Sequence, residues 1–181
     1  MRIRLMLAGA IASASLALPA PASAFPEGAL LGHTGGFGEE SCAACHFGGA
    51  QGEDIALRVD GPDVYAPGER YRFFVRVMDR EASVAGFQLA LRFEDGSNAG
   101  RLEMLEGEGQ TGTLDDVVYA SHTSPLALED GEAAWELYWT APDTLSGPVR
   151  LHAAAVSGAD DQSPIGDNVH ALTLEIAAES P

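Results

Sequence analysis

The sequence contains no lysine, and its 10 basic residues, all arginine, stand against 27 acidic residues in a chain of 181, a net charge of −17. Removing the leader described below takes away Arg2 and Arg4, which leaves 8 arginines against 27 acids, a net charge of −19. A surface of this sign repels nucleic acid and anionic lipid, so both are excluded as partners. It suits a basic protein partner, although a plain solubility surface is the preferred explanation.

Long apolar runs are absent beyond the N-terminus, where residues 5–18 form one after a short basic head. Pro19 ends this run, and Ala22-Ser23-Ala24 provides the small residues of a cleavage site. The pattern predicts a secretory signal peptide at residues 1–24 that is cleaved after Ala24. An uncleaved anchor is the alternative, but the run is shorter than the roughly 20 residues of a membrane helix. We therefore expect a periplasmic or secreted chain with no membrane span in its mature form.

Cysteine is scarce as well, and two cysteines in an exported protein ordinarily suggest one disulfide. Here, however, Cys42 and Cys45 lie three positions apart and His46 follows at once, which is the C-x-x-C-H pattern of c-type haem attachment. Two thiols on one helical turn can bond the two vinyl groups on one edge of a porphyrin, while the adjacent imidazole reaches the iron. The motif predicts one covalently bound haem with His46 as its proximal ligand.

Other uses of these residues fit the sequence less well. A structural zinc site needs about four Cys or His ligands, and a thioredoxin-type dithiol needs a βαβ context that the pattern does not show. A strained disulfide beside an unrelated histidine stays open. The acidic residues near the motif (Glu39, Glu40, Glu53 and Asp54) are expected to form a solvated rim. The pairs 160–161 and 167–168 are weak candidates for a calcium loop, because they lack its regular spacing.

The second axial ligand of the iron is harder to assign. The candidates are His33, His122, His152, His170, Met78 and Met104. His122 is the preferred distal ligand, because it lies at the end of a short predicted strand and before a loop, where ligands usually sit. His33 is the second choice, since it could fold back over the haem from nine residues upstream. We expect His152 to face solvent, His170 to lie on the inner side of its strand, and the methionines to fill the core.

The rest of the chain predicts a β-domain. Apolar residues alternate with polar ones in residues 70–77, 87–94, 135–139 and 172–176, and shorter runs suggest strands at 55–59, 102–105, 117–120 and 149–156. Seven or eight short strands with one-sided apolar faces favour an all-β, immunoglobulin-like sandwich over residues 55–178. Trp135 and Trp139 fall on the apolar face and are expected in its core. Residues 25–54 form a short irregular or helical haem-attachment segment, too short for a self-contained cytochrome fold.

Several sequence blocks over residues 32–177 carry a family resemblance. They are residues 35–49, 65–71, 85–89, 121–123, 135–142 and 147–151. In this order they resemble exported bacterial proteins that join a CxxCH segment to a reeler-like (reelin-type) β-sandwich, a group also labelled choice-of-anchor. The resemblance implies a sandwich fold and haem binding or electron transfer, and it draws attention to the His122-Thr123 pair. Many relatives end in a membrane or surface anchor, whereas the residues up to Pro181 show no such pattern and lead us to expect no surface attachment here.

The sequence thus predicts an exported monohaem c-type cytochrome-like protein that transfers electrons to a redox partner protein of basic character. It is expected to be a carrier more than a catalyst. Two alternatives remain at this stage. One is an enzyme or gas sensor with an open sixth coordination site, and the other is a haem-stapled sandwich that acts as a binding or adhesion module.

Overall fold

The computed structural model describes residues 28–49 and 56–180. The proposed signal peptide (residues 1–24) and the acidic residues Glu53 and Asp54 lie outside these ranges. Among the described residues, no helix has the length and apolar character needed to cross a membrane.

Strands dominate the described residues. After a 3-10 helix at Cys42–Ala44 come β1 (Phe47–Gly48), β2 (Ala56–Asp60), β3 (Val64–Tyr65), β4 (Arg70–Met78), β5 (Val84–Phe93), β6 (Arg101–Met104), β7 (Gln110–Leu114), β8 (Val117–Ser121), β9 (Leu126–Ala127), β10 (Glu132–Thr140), β11 (Val149–Gly158) and β12 (Ile165–Ala178). All eight predicted strands are found. The short strands β1, β3 and β9 and the polar strand β7 were not predicted, because they carry no extended apolar alternation.

The strands form two sheets. The larger has the order β1-β12-β11-β5-β8-β7, with β3 also pairing with β12 and β9 with β5, and the smaller has the order β2-β4-β10-β6. Neighbouring long strands are antiparallel, whereas β1 and β3 pair with β12 in parallel. The inner faces of the two sheets pack into one core, so the predicted all-β sandwich is confirmed.

Aromatic side chains fill much of the space between the sheets. Trp139 has no exposed surface, and its ring lies 5.5 Å from that of Tyr65 and 6.2 Å from that of Phe73. Trp135 packs against Phe87 of the opposite sheet at 4.8 Å between ring centroids. Both tryptophans therefore belong to the core, as their alternation predicted.

The outer face of β5 is also buried, which its polar residues did not predict. Gln88, on this face, has no exposed surface because the N-terminal segment (residues 28–49) lies over it. The backbone N–H of His33 donates to Gln88 Oε1 at 2.8 Å, and Gln88 Nε2 donates to the carbonyl of Leu30 at 2.8 Å. One amide side chain therefore satisfies two backbone groups of the segment.

A buried ion pair provides a second attachment. The Arg92 guanidinium on the outer face of β5 donates to Glu39 of the segment and to the hydroxyl of Tyr119, which in turn donates to Glu39. The side chains of Arg92 and Glu39 are only 8% and 15% exposed. The expectation that Glu39 forms part of a solvated rim was wrong, because this carboxylate is ion-paired beneath the segment.

His152 is less exposed than its alternation predicted. It does lie on the outer face of β11, but the segment covers part of it. The ring of Phe37 meets the His152 ring edge-on at 5.1 Å, and the backbone of Gly36 lies against the same ring.

We predict that Arg92→Ala lowers the free energy of unfolding by about 3–5 kcal/mol, because it leaves the Glu39 carboxylate buried without its partner. Urea unfolding followed by tryptophan fluorescence would measure this. Arg150→Ala is the matched control, since its ion pairs are exposed and longer, at 3.5 and 4.0 Å, and should contribute no more than about 1 kcal/mol. Equal losses of unfolding free energy in the two variants would contradict a stabilising buried ion pair between Arg92 and Glu39.

Candidate functional site

The CxxCH motif forms a single tight turn. The Ser41 hydroxyl accepts a hydrogen bond from the Ala43 N–H and caps the 3-10 helix. The carbonyl of Cys42 then accepts from the N–H groups of Cys45 at 3.2 Å and His46 at 2.9 Å. This winding brings both thiols and the His46 imidazole to the wall of one cavity.

His46 is held by Asp167, a residue that the sequence suggested only as a weak candidate for a calcium loop. Its Nδ1 lies 2.6 Å from Oδ2 of Asp167, which is on β12. Asp167 is only 8% exposed. A carboxylate only accepts hydrogen bonds, so in the neutral imidazole Nδ1 carries the proton and Nε2 keeps a lone pair for a metal. Asp167 is thus a partner of the motif and not a loop residue of a calcium site.

The cavity lies on the outer face of the larger sheet and has a volume of about 550 Å³. This is within the range of roughly 300–1,000 Å³ that is typical of small-molecule sites. Its walls include the apolar side chains of Ala29, Leu30, Val84, Pro125 and Val156, and the polar side chains that reach it include Cys42, Cys45, His46, His33 and His122. Asp160, Asp161 and Gln162, all exposed, line it from the loop between β11 and β12.

Two glycines make room for the polar groups of this cavity. A Cβ on Gly86 of β5 would lie 2.5 Å from Cε1 of His122, and one on Gly158 of β11 would lie 2.1 Å from Oδ1 of Asp167. Gly86 pairs with Val156 in the antiparallel ladder, which makes Gly158 its diagonal neighbour. Diagonal positions lie about 7–8 Å apart. The His122 ring and the carboxylate that holds His46 are therefore close together above one patch of sheet.

His122 follows β8 and is buried, with 9% of its surface exposed. Its Nδ1 lies 3.0 Å from both the amide nitrogen and the carbonyl oxygen of Phe87. A proton on Nδ1 would be donated to the carbonyl and would free Nε2 for a metal. Burial lowers the pKa of His122 below its usual range, the bond to Phe87 opposes this, and the nearby His46 adds to the lowering. The imidazole is therefore neutral near pH 7, the form that binds metals.

The other ligand candidates are placed less well. His33 lines the cavity, with its Nδ1 3.2 Å from the carbonyl of Leu31. His152 lies under Phe37 and bonds the Thr173 hydroxyl at 3.1 Å, and His170 is half-buried on β12. Met104 packs against the core, and Met78 ends β4. The structure thus brings together the motif, His122 and His33, and keeps the remaining candidates away from the cavity.

The state of the thiols bears on the redox-dithiol alternative. Cys42 and Cys45 are not joined in a disulfide. Burial raises the pKa of the Cys42 thiol to about 11, and the adjacent Cys45 adds to this while a backbone hydrogen bond opposes it. Reactive dithiols have lowered pKa values. The environment of Cys42 is therefore the opposite of the one that activates a redox thiol.

Direct coordination of a bare metal ion would need several ligands at one point. In residues 28–49 and 56–180, no group of three or more His, Cys, Asp or Glu side chains is arranged to hold one. A haem iron needs fewer ligands from the protein, because the porphyrin supplies the equatorial ligands and the protein supplies the axial ones. Two thiols and one or two histidines on an apolar cavity would meet this requirement.

Comparison with known proteins finds no family for this chain and only weak likenesses to solved domains. No protein-family model matches this sequence, and no curated protein matches it closely enough to count as a relative.

Three solved domains that it resembles are all-β. The CARDB domain of a Pyrococcus furiosus protein, in complex with di-metal ions, is 16% identical over 72% of this chain and 93% of that one, with a TM-score of 0.37. A non-cellulosomal cohesin from Archaeoglobus fulgidus is 9% identical over 68% and 91%, with a TM-score of 0.39. A collagen-binding domain of a Staphylococcus aureus adhesin is 7% identical over 72% and 100%, with a TM-score of 0.33. All three TM-scores lie below 0.5, so the two-sheet sandwich rests on the strand pairing and core of this chain itself, and the ligands of these domains are not carried over to it.

Sequence reasoning did not assign three residues to this site: Gly86 and Gly158, which it did not single out, and Asp167, which it considered only as a weak candidate for a calcium loop. Asp167 lies 121 positions from His46, and no local pattern links them. The two glycines did carry a signal, because an isolated glycine within a strand pattern often marks a close approach of another group.

We predict that Gly86→Ala destabilises the fold by about 1–3 kcal/mol, since the added methyl group overlaps the His122 ring. The His122→Ala variant and the double variant complete the measurement. Removing the ring removes the clash, so the double variant should be more stable than the two separate losses imply. Strictly additive losses of unfolding free energy, measured by urea unfolding, would show that the added methyl group does not clash with the His122 ring.

Proposed function

We propose that this chain is an exported monohaem c-type cytochrome-like protein that transfers electrons. Cys42 and Cys45 form the thioether links, His46 is the proximal iron ligand and His122 the distal one. The observation that carries the proposal is the convergence of the CxxCH turn and His122, 76 positions further along, on one cavity of about 550 Å³. Residues 1–24 serve as a cleaved signal peptide that delivers the chain to the periplasm or beyond the cell.

The cavity residues fit a haem in three respects. The thiols and the His46 ring come from one turn, as thioether attachment requires. The Nε2 atom of His46 is left with a lone pair, because Nδ1 is engaged by Asp167. Apolar groups such as Leu30, Val84 and Val156 line the space between the histidines, where a porphyrin face would need apolar contact. When bound, the haem supplies a one-electron ferric/ferrous couple.

The residues of the chain have separate roles in this proposal. Two axial imidazoles would hold the iron six-coordinate, so electrons pass without a substrate binding at the metal. Methionine ligation, which gives a higher potential, is not favoured because Met78 and Met104 lie away from the cavity. The segment and the sheet exclude water from part of the site, which keeps His122 neutral.

The charge around the cavity suggests the kind of partner. Asp160 and Asp161 are exposed at its edge, and the chain carries a large excess of acidic residues. A basic redox protein would be attracted to this edge, and such attraction weakens as salt is added. The reeler-like resemblance belongs to the same proposal, and it agrees with the sandwich fold.

We predict that the full chain, expressed with a cytochrome c maturation system and exported, carries one haem that resists extraction with acidified acetone. A pyridine haemochrome spectrum should show a haem bound through two thioethers. Cys42→Ser and Cys45→Ser should each shift this spectrum toward a single thioether link or abolish attachment. The proposal fails if the wild-type chain carries no covalent haem while a known c-type cytochrome matures in the same cells.

We further predict that His122→Ala converts a six-coordinate, low-spin ferric spectrum into a high-spin one that changes on adding CO after reduction. His33→Ala is the matched control, because His33 lines the same cavity and should leave the spectrum low-spin. The reverse outcome would make His33 the distal ligand. A wild-type protein that is already high-spin and binds CO would instead favour the enzyme or gas-sensor alternative.

A further inference from the structure

We propose that Asp167 is a positioning residue for the haem iron: its carboxylate fixes His46 in the Nδ1–H tautomer and makes the imidazole a stronger donor, which lowers the reduction potential. This inference rests on the proposed function. It extends that function by assigning a role to a residue on the last strand of the sandwich, far from the motif in sequence.

His46 and Asp167 form a short hydrogen bond that is largely shielded from water. Nδ1 of His46 and Oδ2 of Asp167 lie 2.6 Å apart, the short distance typical of a charge-assisted hydrogen bond. The two side chains are only 22% and 10% exposed, so water competes weakly for either partner. The main chain supports the same placement, since the Phe47 N–H donates to the carbonyl of Pro164 at 2.9 Å and β1 pairs with β12.

A glycine on the neighbouring strand β11 leaves room for the Asp167 carboxylate. Gly158 faces Asp167, and any side chain there would overlap Oδ1, which would lie 2.1 Å from the new Cβ. A surface aspartate would not need such a space. The absence of a side chain at position 158 therefore lets the carboxylate lie close to the sheet and point at His46.

The two axial histidines differ in their partners, and the difference has a chemical consequence. His122 has only the backbone of Phe87 at its Nδ1, whereas His46 has a carboxylate. A carboxylate draws the Nδ1 proton more strongly than a carbonyl does, which raises the basicity of the ligating nitrogen. A more basic axial ligand stabilises ferric over ferrous iron, so the potential falls.

The test compares midpoint potentials of haem-loaded variants, measured by redox titration of the visible spectrum. Asp167→Asn should raise the potential, because the amide is a weaker acceptor. Asp160→Asn is the matched control, since it removes the same charge from the exposed edge of the cavity without touching His46. Gly158→Ala, which displaces the carboxylate but keeps its charge, should also raise the potential. An Asp167→Asn shift no larger than that of Asp160→Asn would overturn the inference.

A second readout does not depend on haem. In the full chain expressed without maturation, long-range ¹⁵N NMR of His46 should show the Nδ1–H tautomer, and Asp167→Asn should shift it toward a mixture of tautomers. An unchanged tautomer would refute the role of Asp167 directly. If no variant acquires haem but the tautomer responds, the proposed function fails while the contact between Asp167 and His46 stands.

Discussion

The hydrogen bonds between the Gln88 amide and the backbone of residues 30 and 33 determine where the N-terminal segment lies on the sandwich. A fully buried amide must find partners, because leaving either end unsatisfied costs roughly 1–3 kcal/mol. Here both of its ends bond the same short stretch of chain. The segment is thereby placed across β5, and the ion pair of Arg92 with Glu39 holds it four residues further along the same face.

The cavity follows from that placement. The segment covers one part of the outer face and leaves a cavity over the end of β5 and β11, where Gly86 and Gly158 make room for the His122 ring and the Asp167 carboxylate. A sandwich core alone could not hold a flat cofactor, because its interior is close-packed. The site lies instead between the sheet and a strip of chain laid over it, with histidines contributed by both.

Much of the fold was accessible from the sequence, because inward-facing residues on β4, β5 and β10 alternate clearly with polar ones. The same rule did not reveal that the outer face of β5 and β11 is covered at Gln88, Arg92 and, in part, at His152, which was expected to face solvent. Alternation reports which side chains share a face, not whether a later layer covers it. The motif at 42–46 was recognisable because its spacing is local, whereas Asp167 could not be, since its partner is reached only through the pairing of β1 with β12.

The parallel pairing of β1 with β12 has a consequence for how the protein matures. It joins a strand near the start of the chain to the last one, so this contact forms late, after the loop between them has been closed by the sandwich. In the finished fold the raised pKa of Cys42 makes it a poor nucleophile. If the motif carries the haem proposed above, thioether formation would be easier before β12 joins the sheet than after it. The C-terminal strand thus joins the segment that carries the motif to the body of the sandwich, so the first and last described parts of the chain depend on each other for their positions.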